Sequence, residues 1–154
     1  MTPKAKQLYA VFSDVRTCFN HLKTLAEQLH QDLGVNPSMR AVMETLAVNG
    51  QQTVPDIASV KGVSRQHIQT IMNALLAGGL VESLDNPAHK RSPLFDLTVV
   101  GREAFARIRE REEEPLRRLA SAMTASDLKQ AHELLALINK QLTHEIAQGD
   151  QNGN

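Results

Sequence analysis

Seven polar side chains gather on one face of a single helical pattern. Between Ser64 and Asn73 the apolar residues Ile68, Ile71 and Met72, continued by Leu75 and Leu76, recur at helical spacing and must face a core. Ser64, Arg65, Gln66, His67, Gln69, Thr70 and Asn73 are left outside. Nearly all of them can hydrogen-bond a base edge or a phosphate. A guanidinium at Arg65 matches O6 and N7 of guanine, and an amide at Gln66 or Gln69 matches N6 and N7 of adenine. Arg65 and Gln66 stand near the amino end of the pattern, where a recognition helix entering the major groove meets the bases. These residue types at this spacing suit sequence reading on double-stranded DNA. An ordinary solvated helix face is the competing account, and His67 serves as readily as a structural group as a base contact.

A second cluster, His89-Lys90-Arg91-Ser92, sits between Pro87 and Pro93. The prolines make the connection a stiff loop, and a stiff basic loop loses little entropy on docking to sugar-phosphate or an adjacent minor groove. The competing account is a solvated loop tip. Lys61 adds a cation suited to the DNA backbone. From Lys61 to Arg91 the four basic residues face only Glu82 and Asp85, a local excess of positive charge in a chain whose 17 basic and 17 acidic residues balance. Bulk charge therefore cannot drive nucleic-acid binding, and a local patch must.

Other chemistry lacks the residues it needs. There is no Gly-rich phosphate loop and no supported Ser/His/Asp ordering, so no catalytic residue, cofactor or enzyme activity is expected. The six histidines and one cysteine show no metal-ligand spacing, so no metal site is expected. Cys18 alone forms no internal disulfide, and neither a membrane-spanning run nor a signal pattern is found. A cytoplasmic protein off the membrane is the expectation.

The elements that must position these clusters are legible in the same way. Leu8, Phe12, Val15, Phe19, Leu22, Ala26, Leu29 and Leu33 form a heptad-like seam, widened by Val11, Cys18 and Leu25, and Gly34 stops it. Ser38 is placed to cap a second helix carrying Met39, Val42, Met43 and Leu46. Thr53 with Asp56 makes a capping box for a third helix with Ile57, Ala58 and Val60 inward, and Gly62 supplies the turn before Ser64 caps the next. Gly78-Gly79 ends that helix. Leu80 to Leu84 and Pro93 to Leu97 read as a hairpin around the basic loop. Thr98 caps a long helix with Phe105, Ile108, Leu116 and Leu119 inward, which Pro115 is expected to bend or end early. Six arginines and five acids between Arg102 and Arg118 read as a solvated face of paired charges. Thr124 and Asp127 open the last helix, with Leu128, Leu134, Leu135, Leu142 and Ile146 in its stripe.

The order helix, helix, helix-turn-helix, hairpin, two helices resembles the MarR (multiple antibiotic resistance regulator) family over about residues 5 to 146. Thr53 to Val63 carry it for the positioning helix and Val63-Ser64-Arg65 for the turn. Gly79-Leu80-Val81-Glu82 carry it for the step into the hairpin, and Arg91, Leu97, Thr98 and Gly101 for the wing and its exit. The resemblance implies a mainly α fold with a small β-hairpin wing, the winged helix-turn-helix flanked by N- and C-terminal dimerisation helices. It also implies a homodimeric transcriptional repressor on pseudo-palindromic operator DNA, released by a small-molecule effector of unknown identity at an unknown ligand-binding site. A winged-helix protein-interaction or architectural module without operator specificity is the alternative. Two positions depart from the family: His89 stands where an acid usually braces the arginine aligned with Arg91, and Thr70 where a basic residue is common. Some relatives sense oxidants through a first-helix cysteine, whereas the apolar neighbours of Cys18 read as those of an inert core thiol.

The expected organisation is a dimerisation helix over 1–34, a winged helix-turn-helix over 35–100, further dimerisation helices over 101–148 and a flexible tail over 149–154. Apolar stripes as long as those of the first and last helices mark association.

Overall fold

A computed structural model describes residues 1–152. Helix α1 spans Pro3–His30 and closes with a short 3-10 turn, Gln31–Leu33; α2 spans Pro37–Asn49, α3 Val54–Lys61 and α4 Arg65–Ala77. Strands β1 (Val81–Leu84) and β2 (Leu94–Leu97) pair antiparallel, and α5 (Val99–Ala120) and α6 (Ala125–Asn152) follow. The chain is mainly α with a small hairpin, as expected. It divides into two compact units between Glu112 and Glu113.

The first unit holds the core. Val42, Met43 and Leu46 of α2, Ile57 of α3, and Ile68, Met72 and Leu75 of α4 are buried with Val81, Phe95 and Leu97 of the hairpin and Ile108 of α5. An aliphatic core of this kind is non-directional, so local signals must set where each helix begins. They do. Thr53 accepts the Asp56 amide while the Asp56 carboxylate accepts the Thr53 amide and hydroxyl, a capping box that starts α3. Gly62 takes φ +65°, a left-handed conformation that glycine adopts without strain, and turns the chain into α4.

Gly101 has a different reason to be glycine. A Cβ there would overlap the main-chain oxygen of Leu80, so the first turn of α5 lies directly against the start of the hairpin. The Thr98 hydroxyl fastens the same place, donating to the Gly79 carbonyl at 2.7 Å and accepting the Gly101 amide at 2.9 Å. Gln52 adds an isolated bridge on the other side of β2, exchanging two main-chain hydrogen bonds with Phe95. The hairpin is thus held at its open end and along the outer edge of β2.

Several expectations are corrected. Asn36, not Ser38, caps α2, because Pro37 occupies the first helical position and the Asn36 side chain accepts the Met39 amide at 2.8 Å. Val60 is 63% exposed, lying outside the stripe that Ile57 and Ala58 bury, and Leu76 lies at the exposed edge of the α4 stripe. Helix α5 continues through Pro115 to Ala120 instead of ending early. Cys18 is exposed within this chain, since the α1 face that carries it has no cover there. The charged run of α5 is not uniformly solvated either. Glu113, Glu114, Arg117 and Arg118 pair along the helix as expected. Arg111 and Glu112 instead reach away: Arg111 to Asp32 and the Leu29 carbonyl, Glu112 to His30 and Arg40.

In the second unit, Thr124 and Asp127 form the expected capping box at the start of α6. Helix α6 runs on to Asn152, because one glycine at 149 costs a helix only about 1 kcal/mol. The tail expected from residue 149 therefore begins inside the helix, and Gly153 and Asn154 lie outside the described residues. Leu128, Leu134, Leu135, Leu142 and Ile146 are all exposed in the single chain, as are Leu116 and Leu119, which had been expected to face inward.

Candidate nucleic-acid interface

Helix α4 presents its polar face as the periodicity requires. Ile68, Ile71, Met72 and Leu75 are buried, while Ser64, Arg65, Gln66, His67, Gln69, Thr70 and Asn73 are exposed. Their hydrogen-bonding capacity is not equal. Ser64 accepts the His67 amide at 3.1 Å as the N-cap, so its hydroxyl proton stays free. Thr70 donates to the Gln66 carbonyl at 3.0 Å and keeps only acceptor capacity. Gln69 donates one amide hydrogen to Asn73 at 2.9 Å. Its carbonyl oxygen and second amide hydrogen remain, the pair that adenine N6 and N7 require.

A groove of about 740 Å³ runs between the amino ends of α3 and α4 and the hairpin loop. Arg65, Gln66 and Gln69 line it from α4, and His89, Arg91 and Ser92 from the loop. The structure thereby brings six of the sequence-predicted residues to one concavity. Lys61, Ser64, His67, Thr70, Asn73 and Lys90 lie outside its lining; all but Lys61, which is half-buried, are exposed.

Thr53, Pro55 and Asp56 of α3 also line the groove. Pattern reading gave Thr53 and Asp56 only a capping role. Asp56 is the one acid among the lining residues. Hydrogen bonds from the Thr53 side chain and backbone hold its carboxyl below the usual carboxylate range, so the group is ionised at neutral pH and directed at the helix start.

At the loop, Arg91 makes no ion pair among the described residues. His89, two residues before it, offers no carboxylate to brace it. Asn86 organises the loop instead, its side chain accepting the Ala88 amide and donating to the Ser92 carbonyl. Sequence reading passed over Asn86; the Asn-Pro step at a turn was the available signal. Among the described residues there is no group of histidine, cysteine and acidic side chains able to hold a metal, and no helix long and apolar enough to cross a membrane.

A positioning helix, a turn on a left-handed glycine, an exposed polar second helix and a basic hairpin loop beside it define a winged helix-turn-helix protein. Residues 33–92 match the model of the MarR family. Uncharacterized proteins of Mycobacterium tuberculosis and Mycobacterium bovis are 40% identical to it over 83 residues, covering 54% of this chain and 58% of theirs. The match thus spans little more than half the length of those relatives.

Solved structures share the fold. A MarR family transcription regulator superposes with a TM-score of 0.76 at 24% identity, covering 92% of this chain and 93% of its own. A mutant Escherichia coli MarR complexed with operator DNA gives 0.75 at 19% identity, covering 86% and 95%. The transcriptional repressor CouR, bound to a 23-mer DNA duplex, gives 0.73 at 20% identity, covering 82% and 89%. At these identities the likeness is one of fold.

Proposed function

We propose that this chain is a sequence-specific DNA-binding transcriptional regulator, acting as a homodimeric repressor on a pseudo-palindromic operator and released by a small-molecule effector. The observation that carries the reading is the shared groove. Arg65, Gln66 and Gln69 of the exposed helix face and Arg91 of the hairpin loop line one concavity, so base-reading and backbone-holding groups converge on the same ligand. The same fold in the Escherichia coli MarR and CouR structures is occupied by duplex DNA. Arg65, Gln66 and Gln69 read bases, Ser64, His67, Thr70 and Asn73 complete the contact face, and Lys61, His89, Lys90, Arg91 and Ser92 hold the backbone.

The homodimer follows from the bare apolar faces of α1 and α6. Phe19, Leu22, Leu134, Leu142 and Ile146 are more than 40% exposed in the single chain, and apolar stripes of that size mark association. Two-fold symmetry then matches a palindrome whose half-site centres lie about 10 bp apart. A regulator of this kind works in the cytoplasm, where its DNA is.

The test is a fluorescence titration of the full chain against the inverted repeat nearest its own gene and against a scrambled duplex of the same composition. Preference for the repeat by about 10³-fold or more is expected. Equal affinity for both would replace the regulator with an architectural module.

A further inference from the structure

The wing loop between β1 and β2 is closed by one side chain. Two turns follow each other along it: the His89 amide donates to the Asn86 carbonyl and the Ser92 amide to the His89 carbonyl, each at 3.2 Å. Asn86 contributes twice more, its Oδ1 accepting the Ala88 amide at 3.1 Å and its Nδ2 donating to the Ser92 carbonyl at 2.9 Å across six residues. Asn86 and Ser92 are half-buried, whereas His89, Lys90 and Arg91 between them are exposed. The amide therefore spans the mouth of the loop, and its cationic tip carries no internal partner among the described residues.

We infer that Asn86 is the positioning residue of the wing, holding Lys90 and Arg91 in their DNA-contacting arrangement by a neutral bridge across the loop. This rests on the DNA-binding reading above.

The chemistry of the bridge matters for the ligand. A carboxylate brace on Arg91 would neutralise part of the charge that a phosphate is to meet, and salt would weaken an exposed brace of that kind. An amide bridge does neither. It leaves the guanidinium unshared and keeps the loop closed at any ionic strength. Pro87 and Pro93 restrict the chain on both sides, so Asn86 has to fix only the few residues between them. A loop ordered before docking loses less entropy on docking.

The experiment first selects a preferred duplex from a random-sequence pool with the wild-type full chain; failure to select any sequence would sink the DNA-binding reading itself. Affinity for the selected duplex is then measured across a salt series for wild type, Asn86→Ala, Arg91→Ala and the double variant. Asn86→Ala is expected to weaken binding by about tenfold and to flatten the salt dependence as Arg91→Ala does. In the Arg91→Ala background most of the Asn86→Ala effect should disappear, because the bridge acts through the group already removed. Base preference should be unchanged. Independent, multiplying losses in the double variant, or no change in salt dependence for Asn86→Ala, would overturn the inference. Thermal melts of all four proteins separate a positioning loss from a loss of fold.

Discussion

Glu112 and Arg40 stand 72 residues apart in the chain and meet through two hydrogen bonds of 2.6 Å, one from Nε and one from a terminal guanidinium nitrogen. The same carboxylate contacts His30 Nε2 at 3.1 Å, so a single acid of α5 ties the end of α1 to the start of α2. His30 is 1% exposed and the Glu112 side chain 12%. This is a polar joint between α1, α2 and α5.

Breaking that joint from one side should cost more than replacing it. Glu112→Ala leaves the Arg40 guanidinium poorly solvated and the His30 ring without its partner, and should destabilise the fold by about 3 kcal/mol. Replacing both partners with apolar residues of similar size, Arg40→Met with Glu112→Leu, should cost much less. Urea unfolding at unchanged m-value measures both, and equal losses would mean that charge pairing is irrelevant there.

Acid should erode stability through identifiable carboxylates. Burial pushes Glu112 up, but hydrogen bonds and charge from Arg40, with the His30 contact, draw it below its ordinary value. Thr53 lowers Asp56 and Thr124 lowers Asp127 by hydrogen bonds in the two capping boxes. A folded-state value below the unfolded one contributes stability that is present above the unfolded value and is lost as pH falls through the folded one. Stability should therefore hold near neutrality and decline below about pH 4.5. Glu112→Gln should be less stable at pH 7 and flatter below pH 4.5; a parallel curve would assign the acid sensitivity elsewhere.

Base reading should rest on α4. Arg65→Ala should cost about 1 to 3 kcal/mol at the operator and relax preference at one base pair per half-site. Lys90→Ala should weaken specific and scrambled duplexes alike. Titration of single-base operator variants checks both, and a change in base preference on Lys90→Ala with none on Arg65→Ala would reverse the roles.

Salt should report the number of phosphate contacts. With Lys61, Lys90 and Arg91 each neutralising one phosphate, a dimer makes about six contacts and log K falls against log salt with a slope of roughly −5. Removing Arg91 from both subunits should reduce the slope by about two. An unaltered slope would place the wing off the backbone.

Association should depend on α6. Sedimentation at micromolar concentration should give twice the 17.0 kDa chain mass. Leu135→Glu with Leu142→Glu should shift the protein toward monomer or unfold it, and a dimer as stable as wild type would move the interface to another face.

Local signals were readable in the sequence wherever a few neighbouring residues determine the outcome. The Thr53–Asp56 and Thr124–Asp127 boxes, the Ser64 cap and the polar face of α4 are of this kind. Hydrophobic period marked Ile68, Met72 and Leu75 as core for the same reason. What stayed hidden depends on pairings between distant segments. Nothing near Glu112 distinguishes it from Glu113 or Glu114; only the fold brings Arg40 and His30 to it. The Gln52–Phe95 bridge and the Asp56 side of the groove are invisible for the same reason. Period also misassigned Val60, since a helix of eight residues has too few turns to define the edge of its stripe.

The contact of Gly101 with Leu80 is one-sided, and that asymmetry bears on how this sequence can drift. Leu80 takes part through its main-chain oxygen, which every amino acid supplies, whereas Gly101 takes part through the absence of a side chain, which only glycine offers. In a saturation library screened for folded protein, the first position should accept a range of residues of suitable bulk while the second returns glycine alone. A contact between two backbones thus leaves its record at just one of its two addresses, out of reach of any search for paired substitutions.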